Sequence, residues 1–137
     1  MWYDLETGAG LTEGREQLTQ WLQSLAGATP FEKTVLAGFS QGGAMTLDVG
    51  THLPLAGLIV LSGYLHPLDV RSLPTTFPPI LMVHGRQDMV VPLTAAQHAR
   101  DTLLQAGATV QYHELDMGHE IQPQVLSLIH DFVRSLA

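Results

Sequence analysis

Apolar positions along the chain alternate between two rhythms. From Leu11 to Leu25 they recur at spacings of three and four (Leu18, Trp21, Leu22, Leu25), which predicts a helix ended by Gly27 and Pro30. Val35–Phe39 is a short apolar run and reads as a strand, followed by a helical stretch over 41–50. A second strand is predicted at 58–61, then a proline-rich connection (Pro67, Pro74, Pro78, Pro79) without helical periodicity. Residues 80–83 form the third predicted strand, 94–106 a helix with Gly107 as its C-cap, and 109–115 the fourth strand. The last helix begins near Gln122 with Pro123 in its first turn, and Leu126, Ile129, Val133 and Leu136 share one face.

Strands alternating with helices predict an α/β fold: a mostly parallel sheet of about four strands with flanking helices. The second and third strands are apolar at every position, the pattern of strands covered on both faces. Trp21, inside the helical pattern, is expected in the core. At 137 residues the chain is read as one domain, 1–137, able to bury roughly two thirds of its unfolded surface.

Composition narrows the function. Six Lys and Arg against thirteen Asp and Glu give a net charge of −7, no footprint for nucleic acid or an anionic membrane. There is no cysteine, hence no disulfide framework or thiolate metal site, and no spaced His and carboxylate ligand set is visible. The first residues, MWYDLE, lack the pattern of a signal peptide, and no apolar run reaches the ~20 residues of a membrane helix. A soluble cytoplasmic protein without metal or integral membrane association is expected.

The chemistry concentrates at "VLAGFSQGGAM". Gly38-Phe39-Ser40-Gln41-Gly42 is a Gly-x-Ser-x-Gly sequence, expected by chance about 0.05 times in a chain of this composition. It lies between a predicted strand and a predicted helix, as a nucleophile elbow requires. A side chain at either flanking glycine is expected to collide with the tight turn. A serine hydroxyl needs a base to take its proton, and the base needs a carboxylate to orient it. In such folds the order is Ser, acid, His, the latter two in loops after later strands. His84-Gly85-Arg86-Gln87-Asp88 follows the third strand and Asp116-Met117-Gly118-His119 the fourth, which selects Ser40, Asp88 and His119. Asp116 competes with Asp88 but sits only three residues from His119 in the same loop. His84 precedes the acid, the wrong order, and His52, His66, His98, His113 and His130 lack the glycine-containing loop after a strand.

The stretches "WYDL", "GFSQGGAM", "LSGYL", "PILMVHGRQDMVVP" and "ELDMGHEI" resemble, in order, the carboxylesterase/phospholipase family of α/β-hydrolases, which includes the acyl-protein thioesterases. The resemblance implies Ser40 as nucleophile, Asp88 as acid, His119 as base and the Gln41 backbone N–H as one oxyanion-hole donor. It implies hydrolysis of carboxylic esters or thioesters through an acyl-enzyme, with no cofactor, on a small-molecule acyl ester or acylated substrate. Leu65, Met89 and Val90 are the expected acyl contacts. It further implies a truncated α/β-hydrolase fold that lacks the N-terminal strands and the loop supplying a second oxyanion donor, for which residues 4–10 or a partner subunit are the substitutes. The four strands are expected to be consecutive neighbours, with only the last helix on one face and a bare edge on the first strand. A homodimer that covers this edge or face, by strand addition or exchange of residues 1–27, is the expected assembly. The alternative expectation is an inactive truncated hydrolase serving as an association module, or as the partner of a separate N-terminal fragment.

Overall fold

The computed structural model describes residues 10–67 and 70–136; "WYDL" and most of the 4–10 stretch lie outside the described residues. Four helices, α1 (Leu11–Leu25), α2 (Gln41–Gly50), α3 (Leu93–Gln105) and α4 (Pro123–Ser135), alternate with strands β1 (Val35–Phe39), β2 (Gly57–Leu61), β3 (Ile80–Gly85) and β4 (Val110–Leu115). Short 3₁₀ turns at Phe31–Lys33 and Val70–Ser72 lie in stretches where the periodicity was silent. The strands form one parallel sheet in the order β1-β2-β3-β4, as expected.

Alternation along the strands divides the core in two. Leu58, Val60, Ile80 and Met82 pack with Leu47 of α2 and Ala99 and Leu103 of α3. Ile59, Leu61, Leu81 and Val83 face the other way, onto Val125 and Phe132 of α4. β2 and β3 are buried along their whole lengths, which explains why they read as unbroken apolar runs. α4 approaches β2 so closely that a Cβ on Gly57 would lie 2.8 Å from Leu136 Cδ1. This one helix therefore covers β2 and β3 from its side. Part of that face stays uncovered on two strands: on β1 Ala37 and Phe39 are exposed and alternate with half-buried Leu36 and Gly38, and on β4 Gln111, beside Leu81, is exposed.

Two helical faces differ from expectation. Trp21 is 58% exposed, because α1 packs on a narrow stripe of Gly14, Leu18 and Leu22 against Met45 and Val49 of α2, and position 21 lies beside that stripe. In α4 the packing face is Val125, Leu128, Ile129, Phe132 and Leu136, while Leu126 and Val133 are exposed. The large apolar residues of this helix spread over about 160° at 100° per residue, wider than the stripe that meets the sheet, so period alone does not choose the side. α2 is buried nearly all round because it is held between the sheet and α1.

Candidate active site

β1 runs into α2 through Ser40, whose backbone (φ 57°, ψ −117°) lies outside the regions that L-residues favour. Such a conformation costs about 1–3 kcal/mol and persists only where the surroundings enforce it. They do so here. Ser40 N–H donates to Leu61 O at 2.8 Å, and Ser40 O accepts from Gly43 N (3.0 Å) and Ala44 N (3.2 Å) at the start of α2. The turn is tight at one of its two motif glycines. A Cβ on Gly38 would lie 2.1 Å from Gly42 O and 2.3 Å from Gly42 C, whereas a Cβ on Gly42 would meet nothing within 4 Å. The expectation that both glycines are forced by crowding is corrected. The second crowded position is Gly43, whose Cβ would lie 3.1 Å from Gly63 Cα and Val60 Cγ1. Ser62, at the end of β2, repeats the left-handed backbone with φ 53°.

β3 ends at Gly85, and Asp88 follows in a turn. One carboxylate oxygen, Oδ1, accepts from the backbone N–H of Val90 (2.8 Å) and Val91 (2.7 Å). The other, Oδ2, accepts from His119 Nδ1 at 2.8 Å. A carboxylate only accepts, so Nδ1 carries the imidazole proton and Nε2 of the neutral ring is left as the proton acceptor. The Asp88 side chain is fully buried. Burial pushes its pKa up, but hydrogen bonds from His119, Val91 and Val90 outweigh burial and hold it below the ordinary value. The His119 ring lies 4.7 Å from the ring of Phe39, the residue before Ser40. The imidazole is thereby held beside the β1–α2 turn.

Of the residues selected from the sequence, Asp88 and His119 are hydrogen-bonded and His119 adjoins the Ser40 turn. Gln41 opens α2, where backbone N–H groups collect partial positive charge. Met89 is 94% exposed and Val90 is exposed beside Asp88, whereas half-buried Leu65 packs against the α2–α3 core and lines a cavity of about 410 Å³ with Arg15 and Asp48. Asp116, the rival acid, pairs with Arg86 Nη1 at 2.7 Å on the surface.

Sequence reasoning missed two features. Gly85 is the first: a Cβ there would lie 2.3 Å from Met117 O and 2.5 Å from Gly118 O, so only glycine lets the 116–119 loop cross the end of β3. The "HG" of "HGRQD" was its signal. The second is Asp48 in α2, bonded to Arg15 Nε of α1 (2.5 Å) and to buried His66 Nδ1 (2.8 Å). Burial raises the Asp48 pKa, but the hydrogen bonds from His66 and Arg15 outweigh it and the net displacement is downward. This network ties α1 and the segment after β2 to α2. Among the described residues no group of three or more His, Cys, Asp or Glu is placed to hold a metal, and no helix is long and apolar enough to cross a membrane.

Acyl-protein thioesterase 1 of Neurospora crassa is 31% identical, over 96% of this chain and 63% of that protein. Carboxylesterase SOBER1 of Arabidopsis thaliana is 35% identical, over 82% of this chain and 52% of its own length. The crystal structure of esterase PE8 superposes with a TM-score of 0.84 at 30% identity, covering 98% of this chain and 68% of that one. The chain thus spans about half to two thirds of the curated relatives it matches. The Phospholipase/Carboxylesterase family model matches residues 6–137, and with the parallel sheet and its helices in place the chain belongs to that family of α/β-hydrolases.

Proposed function

We propose that the chain is a serine carboxylesterase acting on small to medium acyl esters, or on thioesters, through an acyl-enzyme. Ser40 attacks the carbonyl carbon and His119 Nε2 takes its proton; the imidazolium then returns the proton to the leaving group. Asp88 holds the ring in the required tautomer, and the Gln41 N–H, at the start of α2, faces the developing oxyanion. Water repeats the sequence to release the acid. The observation that carries this reading is the 2.8 Å hydrogen bond from His119 to the buried Asp88 carboxylate, beside a serine held at φ 57°. Activity named for relatives such as carboxylesterase SOBER1 supports the same reaction class. Leu65, Met89 and Val90 are proposed to contact the acyl chain. The chemistry proposed needs no cofactor, and a cytoplasmic location is part of the proposal.

The test is hydrolysis of p-nitrophenyl butyrate by the 137-residue chain beside Ser40→Ala. Turnover by the parent chain is expected to be abolished in the variant. Equal rates in the two proteins refute the serine mechanism and favour the reading as an inactive association module.

A homodimer is part of the proposal. Among the described residues β1 pairs on one side only, and Val35–Phe39 contains no charge or proline to discourage strand addition. A second copy aligned on that edge would cover Ala37 and Phe39. A compact monomer in sedimentation at micromolar concentration refutes this assembly.

A further inference from the structure

β3 is apolar until its fifth residue, His84, which is only 2% exposed and takes no part in the proton transfers proposed above. A buried imidazole is tolerated only when its polar atoms are satisfied. His84 Nε2 lies 2.8 Å from Val91 O, and 3.5 Å from Asp88 Oδ2. A carbonyl oxygen only accepts, so Nε2 carries the proton. Val91 N–H in turn donates to Asp88 Oδ1 at 2.7 Å. The backbone of Val91, itself buried, is therefore gripped at both ends: its N–H by the acid and its C=O by His84.

This closes a ring from β3 through His84, Val91 and Asp88 back to β3. With Oδ1 committed to the turn, Oδ2 is left for His119. We infer that His84 is a positioning residue. It donates through Nε2 to the Val91 carbonyl and so fixes the 88–91 turn in the form that presents Asp88 Oδ2 to His119. The inference rests on the triad reading and adds to it a group that acts through Asp88. Without the donor, the buried Val91 carbonyl has to seek another partner and the turn rotates. A misplacement of about 1 Å in such a group costs on the order of 10²-fold in rate.

The test begins on the unaltered chain with ¹⁵N-labelled histidine. Long-range ¹H–¹⁵N spectra are expected to show His84 as the Nε2–H tautomer and a strongly downfield proton on His119 Nδ1 that vanishes in Asp88→Asn. The Nδ1–H tautomer at His84 overturns the inference without any variant. His84→Leu is then compared with His84→Gln, whose amide nitrogen reaches the place of Nε2. Expected are a kcat on p-nitrophenyl butyrate lowered about 10²-fold at unchanged KM in His84→Leu, loss of its downfield proton, and recovery of both to within about threefold in His84→Gln. Folded His84→Leu with full turnover and an intact downfield proton overturns the inference. So does His84→Gln, folded but lacking the resonance. If His84→Leu does not fold, the tautomer and His84→Gln still decide. Full activity in Asp88→Asn refutes the triad reading, and the role of His84 falls with it. An inactive Asp88→Asn beside a fully active His84→Leu refutes the role of His84 alone.

Discussion

The two glycines of the Gly-x-Ser-x-Gly turn should respond oppositely to the same added methyl group. In Gly38→Ala the new Cβ would sit 2.1, 2.3 and 2.7 Å from Gly42 O, Gly42 C and Gly43 N. All three are backbone atoms of the first turn of α2, and no side-chain rotation relieves them. Contact at an ordinary distance requires α2 to retreat by about 1 Å or more, yet its Ala44, Met45, Leu47 and Val49 are almost fully buried between sheet and α1. Overpacking typically costs about 1–3 kcal/mol, and a clash against backbone belongs at the upper end. For a chain of this size about 3 kcal/mol corresponds to roughly 12 °C in Tm. Gly42→Ala meets open space at a backbone with no positive φ. It should be neutral or stabilising by about 0.5–1 kcal/mol, the usual gain on replacing glycine in a helix. Urea denaturation followed by circular dichroism, at one protein concentration, measures both. Equal stability of Gly38→Ala and the parent, or a loss above 1 kcal/mol in Gly42→Ala, would refute the steric account. If Gly42→Ala is stable but slow on p-nitrophenyl butyrate, the second glycine keeps space for the substrate and serves no need of the fold.

Gly85→Ala should leave the sheet intact by far-UV circular dichroism and lower turnover by 10²-fold or more, since its Cβ displaces the Met117 and Gly118 carbonyls and with them His119. Asp116→Asn removes only an exposed pair with Arg86, so stability should change by less than about 1 kcal/mol and turnover by less than about threefold, against a loss of about 10⁴ in Asp88→Asn; similar losses in both would reverse the assignment of the acid. Asp48 and Asp88 both have pKa values held below the ordinary carboxylate range, so between folded and unfolded values the unfolded chain binds more protons. Their stabilisation is complete above the unfolded value near pH 4 and is lost as pH falls through the folded values, and urea midpoints should be flat from pH 7 to 5 and drop below about pH 4. Each of Asp48→Asn and Asp88→Asn should show a shallower acid limb; an unchanged limb in both would refute the linkage.

What the sequence made legible was local. Leu11–Leu25 and Val35–Phe39 have the predicted boundaries because Pro30 and the Gly38 to Gly43 run punctuate the chain there. Asp88 follows β3, an apolar run too plain to mistake, and Ser40 follows the short run of β1, whereas β4 before His119 (VQYHEL) is half polar and only the glycine of the following loop marked that position. What was hidden depends on contacts between distant segments. Arg15, Asp48 and His66 are up to 51 positions apart, and no local pattern announces their pairing. Trp21 and the Leu126–Val133 side of α4 were misjudged for a related reason: periodicity says that a helix has an apolar face but not how wide its neighbour is. Gly42 was misread because motif membership was equated with steric need.

His119 leaves a strand three places from the one that ends at Ser40, a separation of about 14 Å at the spacing of neighbouring strands. Its ring nevertheless rests 4.7 Å from Phe39, so the loop after β4 must fold back across the ends of β3 and β2. A chain of backbone hydrogen bonds fixes the ground it crosses. Ser40 N–H reaches Leu61 O, Ser62 N–H reaches Val83 O, Arg86 N–H reaches Leu115 O and Gln87 N–H reaches Met117 O. Each bond straps the exit of one strand to the next, and Gly85 is a place where a side chain would block the path of the loop after β4. Every one of these bonds lies between residues 40 and 117. The separation between the Ser40 turn and the Asp88–His119 pair is thus set by sheet pairing and loop straps within one contiguous stretch. Covering the open side of β1 changes what the sheet meets, and the straps that space these groups are already in place without it.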